Sequence, residues 1–216
     1  MLETLIDLDT QCFYWINQHH SPVCDWVMWL ASAKWTQAVI IGVLFAYLCT
    51  QQQRRRSIVL LLGIGLCFLL SDRISVVCFK DVVGRLRPCH ALADVRMFRT
   101  QCGGLYGFVS SHATNNFALV LYLVLYHNKL TRPKRHRCNT VVFGIALFAW
   151  ALLIGYSRPY LGKHYPGDVL CGAIVGLAIG GLVYLASRWA IRRWSQWFEG
   201  FPNRQETQTN NPTNND

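Results

Sequence analysis

Five long apolar runs separated by polar segments dominate the chain: approximately Lys34–Thr50, Ser57–Phe79, Ser111–His127, Thr140–Tyr156 and Pro166–Trp189. A bilayer core of roughly 30 Å takes about 20 apolar residues as a helix, so each run is read as one membrane span. The short segment Cys24–Ser32 extends the first of them. Upstream, helical spacing places Leu2, Leu5, Ile6, Leu8, Cys12, Phe13, Trp15 and Ile16 on one face. Glu3, Asp7, Gln11, Tyr14 and Gln18 fall on the other, with Asp9 the exception. That split predicts a helix lying in the membrane interface, with a sixth span packed on the bundle as the alternative. At the far end, Phe201–Asp216 is polar, Asn/Thr/Gln-rich and broken by Pro, which predicts a disordered tail.

The expected fold is therefore all-α, a polytopic membrane helical bundle of about five to six spans with an N-terminal interfacial amphipathic helix. Residues 1–22 form that helix, 23–200 the transmembrane catalytic domain and 201–216 the tail. Composition agrees: 52% hydrophobic and 15% charged residues in 216 is too apolar for an ordinary soluble domain.

The formal charge of +10 raises nucleic acid as a partner, but the placement of the charge argues against it. Arg54-Arg55-Arg56, the Lys129–Arg137 cluster and Arg188, Arg192 and Arg193 occur in alternate hydrophilic segments, all on one side of a five-span bundle. The positive-inside rule makes that side cytoplasmic. Glu3, Asp7 and Asp9 leave the N-terminus without a basic signal-peptide region, so no cleavage is expected. Trp189, Trp194 and Trp197 suit an aromatic belt at the cytoplasmic interface. In the last span Gly172, Gly176 and Gly180 recur every four residues, a spacing that brings two helices close, either in a dimer or within one bundle.

Polar residues with chemical potential collect at the opposite, extracytoplasmic ends of the spans. Lys80 and Arg87 are seven residues apart, two turns that bring both cations to one face if the helix continues to Pro88. A guanidinium fork and an ammonium together hold the oxygens of a phosphoryl group. Ser110-Ser111-His112 opens the third span, where a serine caps a helix whose free N–H groups attract phosphate and an imidazole can protonate a departing alkoxide. His164 precedes Pro166-Gly167, and Asp168 follows one turn later; a carboxylate accepting one ring N–H makes the other nitrogen a nucleophile toward phosphorus. Arg158 adds a third cation.

Lys80-x6-Arg87-Pro88, Ser110-Ser111-His112 and Ser157-Arg158-x5-His164-x3-Asp168 resemble the tripartite signature of the type 2 phosphatidic acid phosphatase (PAP2) superfamily, over nearly all of the chain from the second span onward. The resemblance implies a helical bundle with a periplasmic or lumenal site and no metal or other cofactor. It makes His164 the nucleophile, Asp168 its orienting group and His112 the general acid, with Lys80, Arg87, Ser110, Ser111 and Arg158 binding phosphate. One departure is visible: the family's middle motif usually reads Pro-Ser-Gly-His, where this chain has Val109-Ser110-Ser111-His112. Ser111 then adds a side chain where backbone approaches phosphate.

Asp72 and Arg73 lie inside the second span and are either outer partners of the site or a mutually neutralising pair. Cys89 and Cys102 share an outer loop in an oxidising compartment and are expected to form a disulfide, free thiols being the alternative.

A metal-independent lipid phosphatase working through a phosphohistidine accounts for every motif. A vanadate-dependent haloperoxidase shares the signature but is normally soluble, and a non-catalytic packing protein explains only the spans. A lipid-to-lipid phosphotransferase differs only in its acceptor. The expected partners are a membrane lipid phosphate and the bilayer, with no nucleic acid and no required protein. The expected location is the bacterial inner membrane, with the site facing the periplasm. A rim of Phe98, Tyr106, Phe108, Tyr160 and Tyr165, with Arg96 and Arg99 for a multiply anionic headgroup, favours lipid A dephosphorylation at the 4′ or 1 position. Undecaprenyl diphosphate and phosphatidylglycerophosphate are the alternatives.

Overall fold

The computed structural model describes residues 2–50, 54–130 and 137–199, and every named element among them is a helix. They are α1 (Leu2–Gln18), α2 (Pro22–Ser32), α3 (Lys34–Thr50), α4 (Arg54–Arg73), α5 (Asp81–Val83), α6 (Pro88–Ala91), α7 (Ser111–Leu130), α8 (Arg137–Tyr160) and α9 (Pro166–Glu199). A π-helical segment, Ile74–Lys80, joins α4 to α5. Residues 131–136 of the basic run and the tail Phe201–Asp216 lie outside the described residues, as do the side chains of Trp194 and Trp197.

Local chemistry sets most of the boundaries. Ser21 caps α2 by accepting the Cys24 N–H, and Pro22 takes the first helical position, where a missing N–H costs nothing. Gly84 ends α5 in the left-handed conformation at φ 62°. Extended backbone at Arg87 before Pro88 starts the single turn of α6.

Three helical stretches are long and apolar enough to cross a membrane: Arg56–Val83, Val141–Tyr160 and Pro166–Arg193. The pair α2 and α3, bent by 61° between them, makes a fourth if it is one span. The fold is thus the all-α membrane bundle that the apolar pattern predicts. Helix α7 differs from its neighbours. It has the length, 20 residues, but opens on Ser-His-Ala-Thr-Asn-Asn and is enclosed by α4, α8 and α9. Ala113, Ala118, Tyr122, Leu123 and Tyr126 on it are buried, so protein rather than lipid surrounds it and polar residues are tolerated at its end.

The glycine stripe of α9 holds this central helix. A Cβ at Gly172 would stand 2.8 Å from the Ser110 carbonyl oxygen, and at Gly176 and Gly180 it would strike the carbonyls of Thr114 and Ala118. The close approach is therefore between α9 and α7 of one chain, the intramolecular one of the two alternatives.

Helix α1 docks by one edge of its predicted apolar face, which Asn17 extends. Phe13 and Asn17 are fully buried and Asp9 partly so, at i, i+4 and i+8, whereas Leu5, Ile6, Leu8 and Trp15 are exposed. Asn17 Nδ2 donates to the Arg96 and Tyr160 carbonyls, both at 2.9 Å, and its Oδ1 accepts the Arg96 N–H at 2.9 Å. A polar group fully bonded in this way can be buried, and it ties α1 to both the long loop 84–110 and the end of α8.

That loop carries two further clamps. Cys89 and Cys102 are joined by a disulfide with a Cα separation of 5.9 Å. Arg96 forks onto Asp25 of α2 at 2.8 and 2.6 Å, and the Tyr160 hydroxyl donates to the same carboxylate at 2.8 Å. Arg96 is thus bound to protein, and Arg99 stacks on Trp26 with its Cζ 4.5 Å from the ring centroid. Arg96 braces the loop instead of standing ready for a headgroup, whereas Arg99 remains exposed.

Candidate active site

The N-terminal ends of α7 and α9, the C-terminal end of α8 and the π-helical end of the α4 stretch meet at one end of the bundle. A backbone hydrogen bond from Ser110 N to the Asp168 carbonyl, 3.0 Å, ties the starts of α7 and α9 together. Every sequence-predicted residue of the site lies at this end, and hydrogen bonds link several of them.

Lys80 and Arg87 do not share a helical face, because the helix ends at Gly84 and the chain reverses. Lys80 Nζ donates to Ser111 Oγ at 2.7 Å, and Ser75 lies 2.8 Å from the same hydroxyl. The π-helical segment carries both Ser75 and Lys80, so its altered winding sets which face meets α7. The Ser111 side chain, the departure from the usual middle motif, is thus a fixed part of the cation cluster.

Arg87 Nη1 approaches His164 Nε2 at 2.7 Å. A guanidinium has only donors, so Nε2 accepts and is unprotonated, and the ring proton sits on Nδ1. Nδ1 faces Asp168 Oδ2 at 3.6 Å, a contact too long for a hydrogen bond. Oδ2 instead accepts the Tyr165 N–H at 3.0 Å, as the third residue of a capping box does, and Oδ1 accepts from Arg85 Nη1 at 2.9 Å. Asp168 and His164 are both buried, at 0% and 2% exposure, so the imidazole has no water to stabilise its charged form. Burial, then the positive charges of Arg87, Arg158 and Lys80, hold the His164 imidazole well below its usual range. It is neutral at pH 7.

Among the described residues, three buried polar atoms of the site have no hydrogen-bond partner: Ser110 Oγ, Arg158 Nε and His164 Nδ1. The Ser110 side chain therefore does not cap α7, and its hydroxyl, like the Arg158 guanidinium nitrogen, is left unsatisfied. Buried unsatisfied donors are rare in folded proteins and suit an incoming oxyanion. His112 opens α7, and its ring stands in electrostatic range of Arg158, His164 and Lys163.

His112 and Ser111 also line a cavity of about 640 Å³. Its polar mouth includes Lys34, Gln37, Asp72 and Asn115, and it continues between α3 and α4 past Ile41, Phe45, Leu61, Ile64 and Phe68. Asp72 accepts from Asn115 Nδ2 at 2.9 Å, so it joins the rim of the site, and no ion pair links it to Arg73 among the described residues. Of the expected aromatic rim, Tyr106 is exposed, but Tyr160 and Tyr165 are packed inside the protein.

Sequence reasoning missed four residues of this region: Asp9, Lys34, Arg85 and Lys163. Arg85 and Lys163 sit at unspecified positions within the first and third motifs, where spacing carries no signal. Burial, then the charges of Arg158, Arg87 and Lys34, bring the Lys163 ammonium down to about 8. Asp9 had one signal, as the lone carboxylate on the apolar face of α1.

A neutral buried imidazole with its unprotonated nitrogen on a guanidinium, encircled by further cations, can attack a phosphorus centre and hold the resulting charge. Comparison with known proteins points the same way. Residues 57–192 match the family model of the PAP2 superfamily. The chain is 31% identical over 188 residues to a lipid A 4′-phosphatase of Bacteroides thetaiotaomicron, covering 85% of this chain and 79% of that one. It is 27% identical over 201 residues to a lipid A 4′-phosphatase of Porphyromonas gingivalis, covering 89% and 78%. In fold it is similar to the crystal structure of a transmembrane PAP2-type phosphatidylglycerolphosphate phosphatase from Bacillus subtilis, with a TM-score of 0.63 at 20% identity, covering 88% of this chain and 87% of that chain.

Proposed function

The chain belongs to the PAP2 superfamily, and from that premise we propose that it is a phosphatase of lipid A, removing the phosphate at the 4′ or 1 position on the periplasmic face of the inner membrane. The observation that carries the reading is the contact of Arg87 with the unprotonated Nε2 of a buried His164. In the first step Nε2 attacks phosphorus, the P–N bond forms and the ester P–O bond breaks. His112 gives its proton to the departing alkoxide. In the second step water attacks the phosphohistidine, His112 takes the proton, and inorganic phosphate leaves with Nε2 unprotonated again. Lys80, Arg87, Ser110, Ser111 and Arg158 bind the equatorial oxygens, where negative charge grows. Asp168 orients His164 and stabilises its charge.

The cavity supports a lipid substrate. Its apolar stretch begins at His112 and runs between two membrane helices, a path suited to a chain already in the bilayer, while Lys34 at the mouth suits an anionic headgroup. The relatives named as lipid A 4′-phosphatases make lipid A the first substrate to test.

Mass spectrometry of lipid A from cells with and without the gene tests the assignment, alongside phosphate release from lipid A and undecaprenyl diphosphate by the purified protein. The expected result is loss of one lipid A phosphate only when the gene is present. Unchanged lipid A with rapid turnover of undecaprenyl diphosphate would move the assignment to the polyprenyl lipid.

A further inference from the structure

The N-terminal helix reaches the site through one side chain. Asp9 Oδ2 pairs with Arg85 Nη2 at 2.7 Å, and Asp9 Oδ1 accepts the Gly167 N–H at 2.7 Å. Arg85 Nη1 then donates to Asp168 Oδ1 at 2.9 Å, and the guanidinium lies flat on Tyr165 with its Cζ 3.9 Å from the ring centroid. One arginine thus bridges two carboxylates, one on α1 and one beside the candidate nucleophile.

The arrangement fixes Asp168 from both sides. Its Oδ2 is taken by the Tyr165 N–H, so the rotation of the carboxylate is set by what holds Oδ1, and that is Arg85. Arg85 comes from a loop, and besides its bond to Asp168 its fork is kept in place by stacking on Tyr165 and pairing with Asp9. Asp9 also supplies an acceptor to one of the N–H groups at the start of α9, which the helix itself leaves unpaired. Gly167 leaves the room for this: a Cβ there would stand 2.8 Å from Asp9 Oδ2.

We propose that Asp9 and Arg85 are positioning residues of the site, a relay from the N-terminal helix that aims the Asp168 carboxylate at His164 Nδ1. The proposal rests on the roles given above to His164 and Asp168. It makes α1 part of the machinery, although α1 lies outside the matched residues 57–192 and carries none of the three motifs.

The test uses the full chain purified in detergent, with dioctanoyl phosphatidic acid as substrate and orthovanadate as a ligand that needs no turnover. Asp9→Asn is expected to lower kcat about 10- to 100-fold with KM within about twofold, and to weaken vanadate about tenfold. Asp9→Glu restores part of both. Gly167→Ala, which displaces Asp9 without touching its charge, moves them in the same direction. Tyr14→Phe is the structural control, since it removes the 3.1 Å bond from α1 to the Ala93 carbonyl and leaves the relay alone; its kcat per folded protein stays at the wild-type level. Wild-type kcat and vanadate affinity in folded Asp9→Asn and Gly167→Ala would overturn the proposal. A wild-type protein that releases phosphate from no lipid would overturn the function proposed above, and vanadate affinity in the same variants would still decide the role of Asp9 and Arg85.

Discussion

Arg87 donates to His164 Nε2 across 77 residues of sequence, at 2.7 Å. The bond marks which ring nitrogen is free of a proton, and it sets the phosphate-binding guanidinium against the atom that attacks.

His164→Ala is expected to abolish turnover, and Asp168→Asn to reduce kcat by about 10³- to 10⁴-fold, since the carboxylate orients and does not attack. Arg87→Lys keeps the charge but loses the fork and raises KM as well as lowering kcat. Steady-state kinetics on a lipid phosphate in EDTA check all three. Activity that vanished on chelation and returned with Mg²⁺ would contradict a histidine nucleophile backed by cations.

Two groups outside the spans shape the pH profile beside the general acid His112. His164 is held well below 6.5, so it remains neutral and nucleophilic as pH falls through 6.5, and the acid limb of kcat/KM that it sets lies lower than for an ordinary histidine. Lys163, at about 8, loses its charge as pH rises through that value, so kcat/KM declines on the alkaline side. Lys163→Met should lower kcat/KM near neutrality and remove the decline centred near 8, apart from any loss of the His112 proton. A limb near 8 that survives in this variant would assign it to another group.

The cavity between α3 and α4 separates long substrates from short ones. Ala38→Phe narrows its lining and is expected to raise KM several-fold for a long-chain lipid while leaving dioctanoyl phosphatidic acid nearly unaffected. Equal effects on both substrates would place the long chain elsewhere.

Topology and the disulfide are read together by a membrane-impermeant thiol reagent on intact cells. Cys89 and Cys102 should react only after reduction, and Cys138, beside the basic run that the proposed orientation puts in the cytoplasm, should not react from outside. Labelling of Cys138 from outside would invert the orientation. Replacing both loop cysteines by Ser removes a constraint worth up to about 3 kcal/mol and should lower the thermal stability of the loop that precedes α7.

Much of the site was legible because its chemistry is local. His164, Pro166 and Asp168 specify a helix start with a carboxylate one turn from a ring, and four-residue glycine spacing specifies close helix packing. Other parts depend on where distant segments meet. The hydropathy of Arg96 gives no sign that Asp25 will pair with it, so it reads as a headgroup contact until the fold brings the two together. The π-helical winding at Ile74–Lys80 has no periodic signature in so short a segment, and the helix stop at Gly84 separates Lys80 from Arg87. Asp9 broke the amphipathic pattern of α1, and that break marked its contact with the rest of the chain.

The glycine stripe of α9 also governs a distance that matters for proton transfer. His112 begins α7 and His164 stands just before α9, so the separation of donor and nucleophile is set by how deeply one helix sinks against the other. Gly180 is twelve residues beyond Asp168, roughly 18 Å along the helix, yet a methyl group there meets the Ala118 carbonyl and levers the two axes apart. A lesion buried in the hydrocarbon layer would then act as a wedge, parting proton donor from nucleophile at the membrane surface without altering either residue.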